Sequence, residues 1–118
     1  DGRGFYLYTK KTKEPDAELY EMATKGVKAR VISASEIQDR CLYALLAECI
    51  RTLDEGILRS KDDGDLASVF GLGFPPFLGG PFHFMGEIGQ NEVARKLTAL
   101  QSRYGPLFEV PSSLLSPA

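Results

Sequence analysis

Residues 70–84 read FGLGFPPFLGGPFHF and constrain the fold more than any other stretch. Four glycines and three prolines interrupt any long helix or strand, yet five of the chain's seven phenylalanines fall here. Such a segment is a connector between helices, a ligand loop or a lipid-facing loop. A phosphate-cradling loop uses glycine N–H groups at a helix start, after a strand, with Lys and Ser or Thr close by. Here Gly71 and Gly73 follow a helical pattern, and neither Lys nor a hydroxyl lies inside the segment. Pro75, Pro76 and Pro81 also remove donors that an anion would need. The favoured reading is therefore a rigid structural loop. In it Gly71, Gly73, Gly79 and Gly80 permit tight turns, the prolines stiffen the path, and the phenylalanines fill gaps between short helices while also facing a neighbouring domain. A loop that contacts lipid or an acyl chain is the second reading.

The flanking sequence predicts helices. Ser33 or Ser35 can cap a helix here, and Ser33 with Glu36 has capping-box spacing. Ile37, Cys41, Leu42, Leu45, Leu46, Cys49, Ile50, Leu53 and Ile57 then follow helical periodicity over an arc of about 220°. That width predicts one long central helix packed on two sides, ending near Gly56. Ser60 with Asp63 opens a short helix through Phe70, closed by Gly71, and Asp62, Asp63 and Asp65 suit its N-terminus. Pro81 starts another helix that runs to Ile88, and Asn91 caps a last one ending at Gly105-Pro106. Upstream, Asp16 caps a short helix that stops at Gly26, after a polar run ending at Pro15 and an extended Phe5–Tyr8 segment behind a Gly-Arg-Gly turn. No period-2 pattern follows residue 9. The expected fold is all-α, a compact helical domain of about five helices.

Charge and composition narrow the function classes. A net charge of -2 lacks the basic footprint of a nucleic-acid binder, and no stretch approaches the ~18 apolar residues of a membrane span. Cys41 and Cys49, eight apart on one helix, lie about 12 Å from each other, too far for a disulfide, and read as apolar core residues. One histidine and two distant cysteines are too few for a metal site. His83 and Glu87, at i and i+4, form a surface pair more readily than an acid–base pair. Asp39 falls inside the apolar arc, among Leu46, Ile50 and Ile57. A first-turn carboxylate stabilised by free N–H groups and half exposed is favoured there over a binding role. The first residue is Asp1, which suggests a piece of a longer polypeptide.

Three motifs carry a resemblance: EIQDRCLYALLAECIRTLDEGI, DGDLASVFGLGFPPFLGGPFHFMGEIG and RYGPLFE. Together they resemble the C-terminal helical domain of 3-hydroxyacyl-CoA dehydrogenases, and more closely its second copy in the large multifunctional enzymes of fatty-acid β-oxidation. The resemblance implies a fold like the C-terminal domain of 6-phosphogluconate dehydrogenase. It also implies an organisation of 1–8 as the tail of a preceding helical domain, 9–32 as a linker with a short helix, and 33–118 as the second helical domain. The parent enzyme would oxidise an L-3-hydroxyacyl-CoA with NAD, and carry enoyl-CoA hydratase activity as well. NAD and the catalytic residues would belong to a Rossmann domain outside this chain, so that this chain alone is expected to be inactive. In the family an asparagine near the start of the first copy's long helix contacts substrate, and alignment puts Asp39 at that place. The expected role is a buttress for the first helical domain and the NAD domain, replacing a dimer partner. The implied partners are those domains, the acyl-CoA substrate of the parent and a thiolase subunit. The implied location is cytoplasmic, or mitochondrial. Acyl-CoA contact through the Phe-rich loop and an unrelated helical adaptor are the competing readings.

Overall fold

A computed structural model describes residues 4–27 and 30–115. Gly2 and Arg3 of the expected Gly-Arg-Gly turn lie outside the described residues. The chain divides into two compact units, Asp1–Ile32 and Ser33–Ala118.

The first unit pairs β1 (Tyr6–Tyr8) antiparallel with β2 (Lys13–Pro15), in the register Tyr6↔Pro15, Leu7↔Glu14 and Tyr8↔Lys13. The second strand corrects the expectation that nothing extended follows residue 9. Its sequence, KEP, shows no apolar alternation. Its pairing is fixed instead by the intervening turn, where Thr9 Oγ1 accepts the N–H groups of Lys11 and Thr12. The Lys13 ammonium then lies 4.3 Å from the Tyr6 ring centroid. Asp16 caps α1 (Ala17–Thr24) as expected, its Oδ1 accepting from the N–H groups of Glu18 and Leu19. Lys25, in the left-handed region, closes the helix one residue before Gly26.

The second unit is built on α2 (Ala34–Asp54), whose N-terminus is capped by the Ser33 hydroxyl. Its buried residues, Tyr43, Leu46, Ala47 and Ile50, stand at i, i+3, i+4 and i+7 and so form one face. That face meets Phe82 and Met85 of α4 (Pro81–Ile88), Val93 and Leu97 of α5 (Gln90–Tyr104), and Phe108. Between them lie α3 (Lys61–Ala67), a π-helical turn at Ser68–Leu72 and a 3₁₀ turn at Pro76–Leu78. A second 3₁₀ turn (Pro106–Phe108) and α6 (Ser112–Leu115) follow α5. The fold is all-α around one long helix, with six α-helices among the described residues rather than five.

Several local expectations are corrected. Ile37, Cys41 and Ile57 are exposed, because the core is contacted by a narrower face than the 220° arc implies. The short helix does not close at Gly71; it widens into the π turn and ends at Gly73. Gly89 rather than Asn91 occupies the N-cap of α5, since one residue ends α4 and opens α5.

Candidate functional site

The connector between α3 and α4 holds most of the residues singled out from the sequence. Gly71 lies within the π turn, and the Phe74 N–H closes that turn onto the Ser68 carbonyl at 3.0 Å. Pro75 leads into the 3₁₀ turn begun by Pro76 and ended by Gly79; Gly80 then precedes Pro81, the first residue of α4. Asp65, on α3, reaches across this turn. Its Oδ1 accepts the Phe82 N–H at 2.6 Å and its Oδ2 accepts the His83 N–H at 3.1 Å. These are orphan donors of the α4 N-terminus, where Pro81 at the first position has no N–H of its own to satisfy. Gly80, at φ 115°, makes the approach possible, because a Cβ there would lie 2.4 Å from Asp65 Cβ. A Cβ on Gly64 would similarly lie 2.4 Å from Phe82 Cε2, so α3 and α4 touch through a glycine. Asp62 and Asp63 sit in the first turn of α3, as its dipole favours, whereas Asp65 serves the next helix.

The phenylalanines divide between two roles. Phe74 and Phe82 are buried and Phe84 is half-buried. Phe70 and Phe77 are 83% and 86% exposed. The gap-filling expectation therefore holds for three of the five, and two stand out in solvent.

Asp39 lies in the second turn of α2, not the first, and its partner is not a free N–H group. Its Oδ2 accepts from Lys96 Nζ of α5 at 2.9 Å, with the aspartate side chain 42% exposed. The hydrogen bond to Asp39 pushes the Lys96 ammonium up from its ordinary value, against the opposing effect of burial. Around this pair the Tyr104 hydroxyl donates to Glu36, and the Arg40 guanidinium lies 4.3 Å from the Tyr104 ring centroid. Arg95 forms a bidentate pair with Glu92 at 2.6 and 2.7 Å. The hydrogen bond holds the Glu92 carboxyl below and the Arg95 guanidinium above their usual ranges. Asp39 is thus one half of an α2–α5 ion pair that sequence reading could not find, since 57 residues separate the partners.

His83 Nε2 stands 3.9 Å from Glu87 Oε1 with both side chains largely exposed, as a surface pair. Cys49 is half-buried, and burial pushes its thiol up, with the Ser68 hydroxyl opposing. Among the described residues no group of three potential ligands could hold a metal ion, and no helix is long and apolar enough to cross a membrane. The connector and the α4 N-terminus do not fit NAD. A dinucleotide needs free N–H donors at a helix start that follows a parallel strand. Here the α4 donors are taken by Asp65, the prolines offer none, and the two described strands are antiparallel.

Residues 33–115 thus form a helical domain in which Asp65 ties α3 to the start of α4 across the connector. No protein-family model matches the chain. It is 41% identical over 117 residues to the fatty acid oxidation complex subunit alpha of Vibrio parahaemolyticus, covering 99% of this chain and 16% of that protein. The subunit of the same name from Aliivibrio fischeri is 45% identical over 106 residues, covering 90% and 15%. That from Shewanella halifaxensis is 44% identical over 117 residues, covering 97% and 16%. The chain is a homologue of fatty acid oxidation complex alpha subunits and corresponds to one domain-sized segment of them. It spans about 16% of the length of the curated relatives it matches.

Proposed function

We propose that this chain is the second helical domain of a multifunctional β-oxidation enzyme whose catalytic and NAD-binding residues lie elsewhere in the polypeptide. Residues 9–32 act as the linker and 33–118 as the domain. The parent oxidises an L-3-hydroxyacyl-CoA to the 3-ketoacyl-CoA with NAD, carries enoyl-CoA hydratase activity, and works in the cytoplasm, as its bacterial relatives favour. The domain buttresses the first helical domain and the NAD domain.

The homology to one segment of the alpha subunits carries this reading. The connector supports it, because Asp65 and the first two N–H groups of α4 are spent on holding α3 to α4. The Asp39–Lys96 pair supports a structural role for Asp39 over substrate contact, since its carboxylate already has a cation. The test is to add an L-3-hydroxyacyl-CoA and NAD to the purified 118-residue chain. No NADH formation is expected, and measurable turnover would overturn the scaffold reading.

A further inference from the structure

We propose that Phe70 and Phe77 form a docking surface for another part of the same alpha-subunit-type polypeptide, one that presents an apolar pocket with a basic rim. This rests on the reading above and names the surface through which the domain would act. Both rings stand almost fully in solvent, yet both are carried on stiff backbone. Phe70 sits in the π turn closed by Gly73, and Phe77 sits between Pro76 and the left-handed Gly79. The Asp65 bonds to Phe82 and His83 fix the frame behind them. The core gains nothing from these two side chains. Two stiff turns, each holding an aromatic ring in solvent beside the hollow that Phe70, Pro76 and Gly79 line, make a preorganised anchor pair with little conformational entropy left to lose on contact. Beside Phe70, Leu66, Val69, Pro76 and His83 line a hollow of about 430 Å³. Asp62 lies at this hollow, and Glu87 stands beside His83, so its charged margin is acidic and suits a partner with basic residues. The segment corresponds to 16% of the relatives' length, so on the reading above most of the parent polypeptide lies outside it and is at hand to supply the partner. A tethered partner also meets this face at high effective concentration.

The test is a photoreactive benzoylphenylalanine at position 77 of the full-length polypeptide, with a second at the exposed Leu107 as control. Irradiation is expected to give an intrachain crosslink from position 77 to a Lys- or Arg-containing peptide outside residues 1–118, and none to that peptide from position 107. Adding Phe70→Ser, which removes only an exposed side chain, is expected to abolish the crosslink and leave the melting curve of the chain's own helices in place. Crosslinks confined to residues 1–118, to a second copy or to a separate subunit, or no crosslink, would overturn the proposal. If removing residues 33–118 inactivates the parent but no intrachain crosslink forms, the surface is wrong and the buttress reading stands. If the crosslink forms but the truncated parent keeps full activity, the surface stands and the buttress reading fails.

Discussion

The carboxylate of Asp65 binds the backbone N–H of Phe82 at 2.6 Å across 17 residues of sequence, and so caps a helix to which it does not belong. The same carboxylate takes the His83 N–H, and Gly80 leaves the room it needs. Asp65→Ala is expected to lower unfolding stability by about 1–2 kcal/mol, as loss of an N-cap does. Asp65→Asn, which keeps one acceptor oxygen, is expected to cost less. Urea titration of the three proteins gives the comparison. Equal stability of all three would mean the two bonds contribute nothing.

The two glycines on either side of the 3₁₀ turn should respond unequally to a side chain. Gly73→Val places a Cβ in open space at φ 75°, and is expected to cost about 1–2 kcal/mol from the left-handed backbone alone. Gly80→Val adds a collision with Asp65 to its own positive φ, and is expected to cost more. Thermal unfolding should rank Gly80→Val below Gly73→Val. If both variants melt like the parent sequence, the connector is not the rigid element described.

Asp39→Asn is expected to leave the fold intact and cost less than about 1 kcal/mol, because both partners are partly exposed and solvent screens the pair. A double-mutant cycle with Lys96→Met should return a coupling of similar size, reduced by added salt. Loss of folding in Asp39→Asn would show that the pair holds α2 to α5 far more strongly.

Alkaline pH should destabilise the domain through two groups. Burial raises the Tyr43 hydroxyl, and the hydrogen bond to Asp39 raises Lys96. In both cases the folded state holds its proton more tightly than the unfolded chain. Their contribution is therefore complete below the unfolded value, about 10 for both, and falls as pH rises through the folded value. Stability measured from pH 7 to above the ordinary tyrosine and lysine range of roughly 10 should fall at the top of the range, less steeply in Tyr43→Phe and Lys96→Met. An identical slope in all three proteins would contradict these assignments.

The two thiols should separate by reactivity. Cys41 is exposed, whereas Cys49 is half-buried with its thiol pushed up by burial. Maleimide labelling at pH 7.5 (about one unit below an ordinary cysteine) should modify Cys41 first and reach Cys49 slowly. Equal rates would show that α2 opens easily around Cys49.

What could be read from the sequence was mostly local. Ser33, Ser60 and Asp16 cap helices through bonds to N–H groups two or three residues on, and Pro81 starts α4 by a rule of the same range. The fold class and the long helix followed from such signals. Asp65 looked like part of the α3 N-terminus because the helix it serves lies across the turn. Asp39 looked like a first-turn carboxylate because Lys96 is far away in sequence. Periodicity picked out Leu46 and Ile50 but missed Tyr43 and Ala47, and only the positions of α4 and α5 decided that these are inside while Ile37 and Cys41 are not. The division of the phenylalanines has the same cause: nothing in FGLGFPPFLGGPFHF tells a ring that meets the core from one that points away.

The most direct test of the scaffold role is dehydrogenase activity of the full-length parent with and without residues 33–118. The assay follows NADH formation from an L-3-hydroxyacyl-CoA, and the separate 33–118 segment is then added back. Loss of activity on truncation, restored in part by the added segment, is the expected result. Full activity in the truncated enzyme would contradict the account.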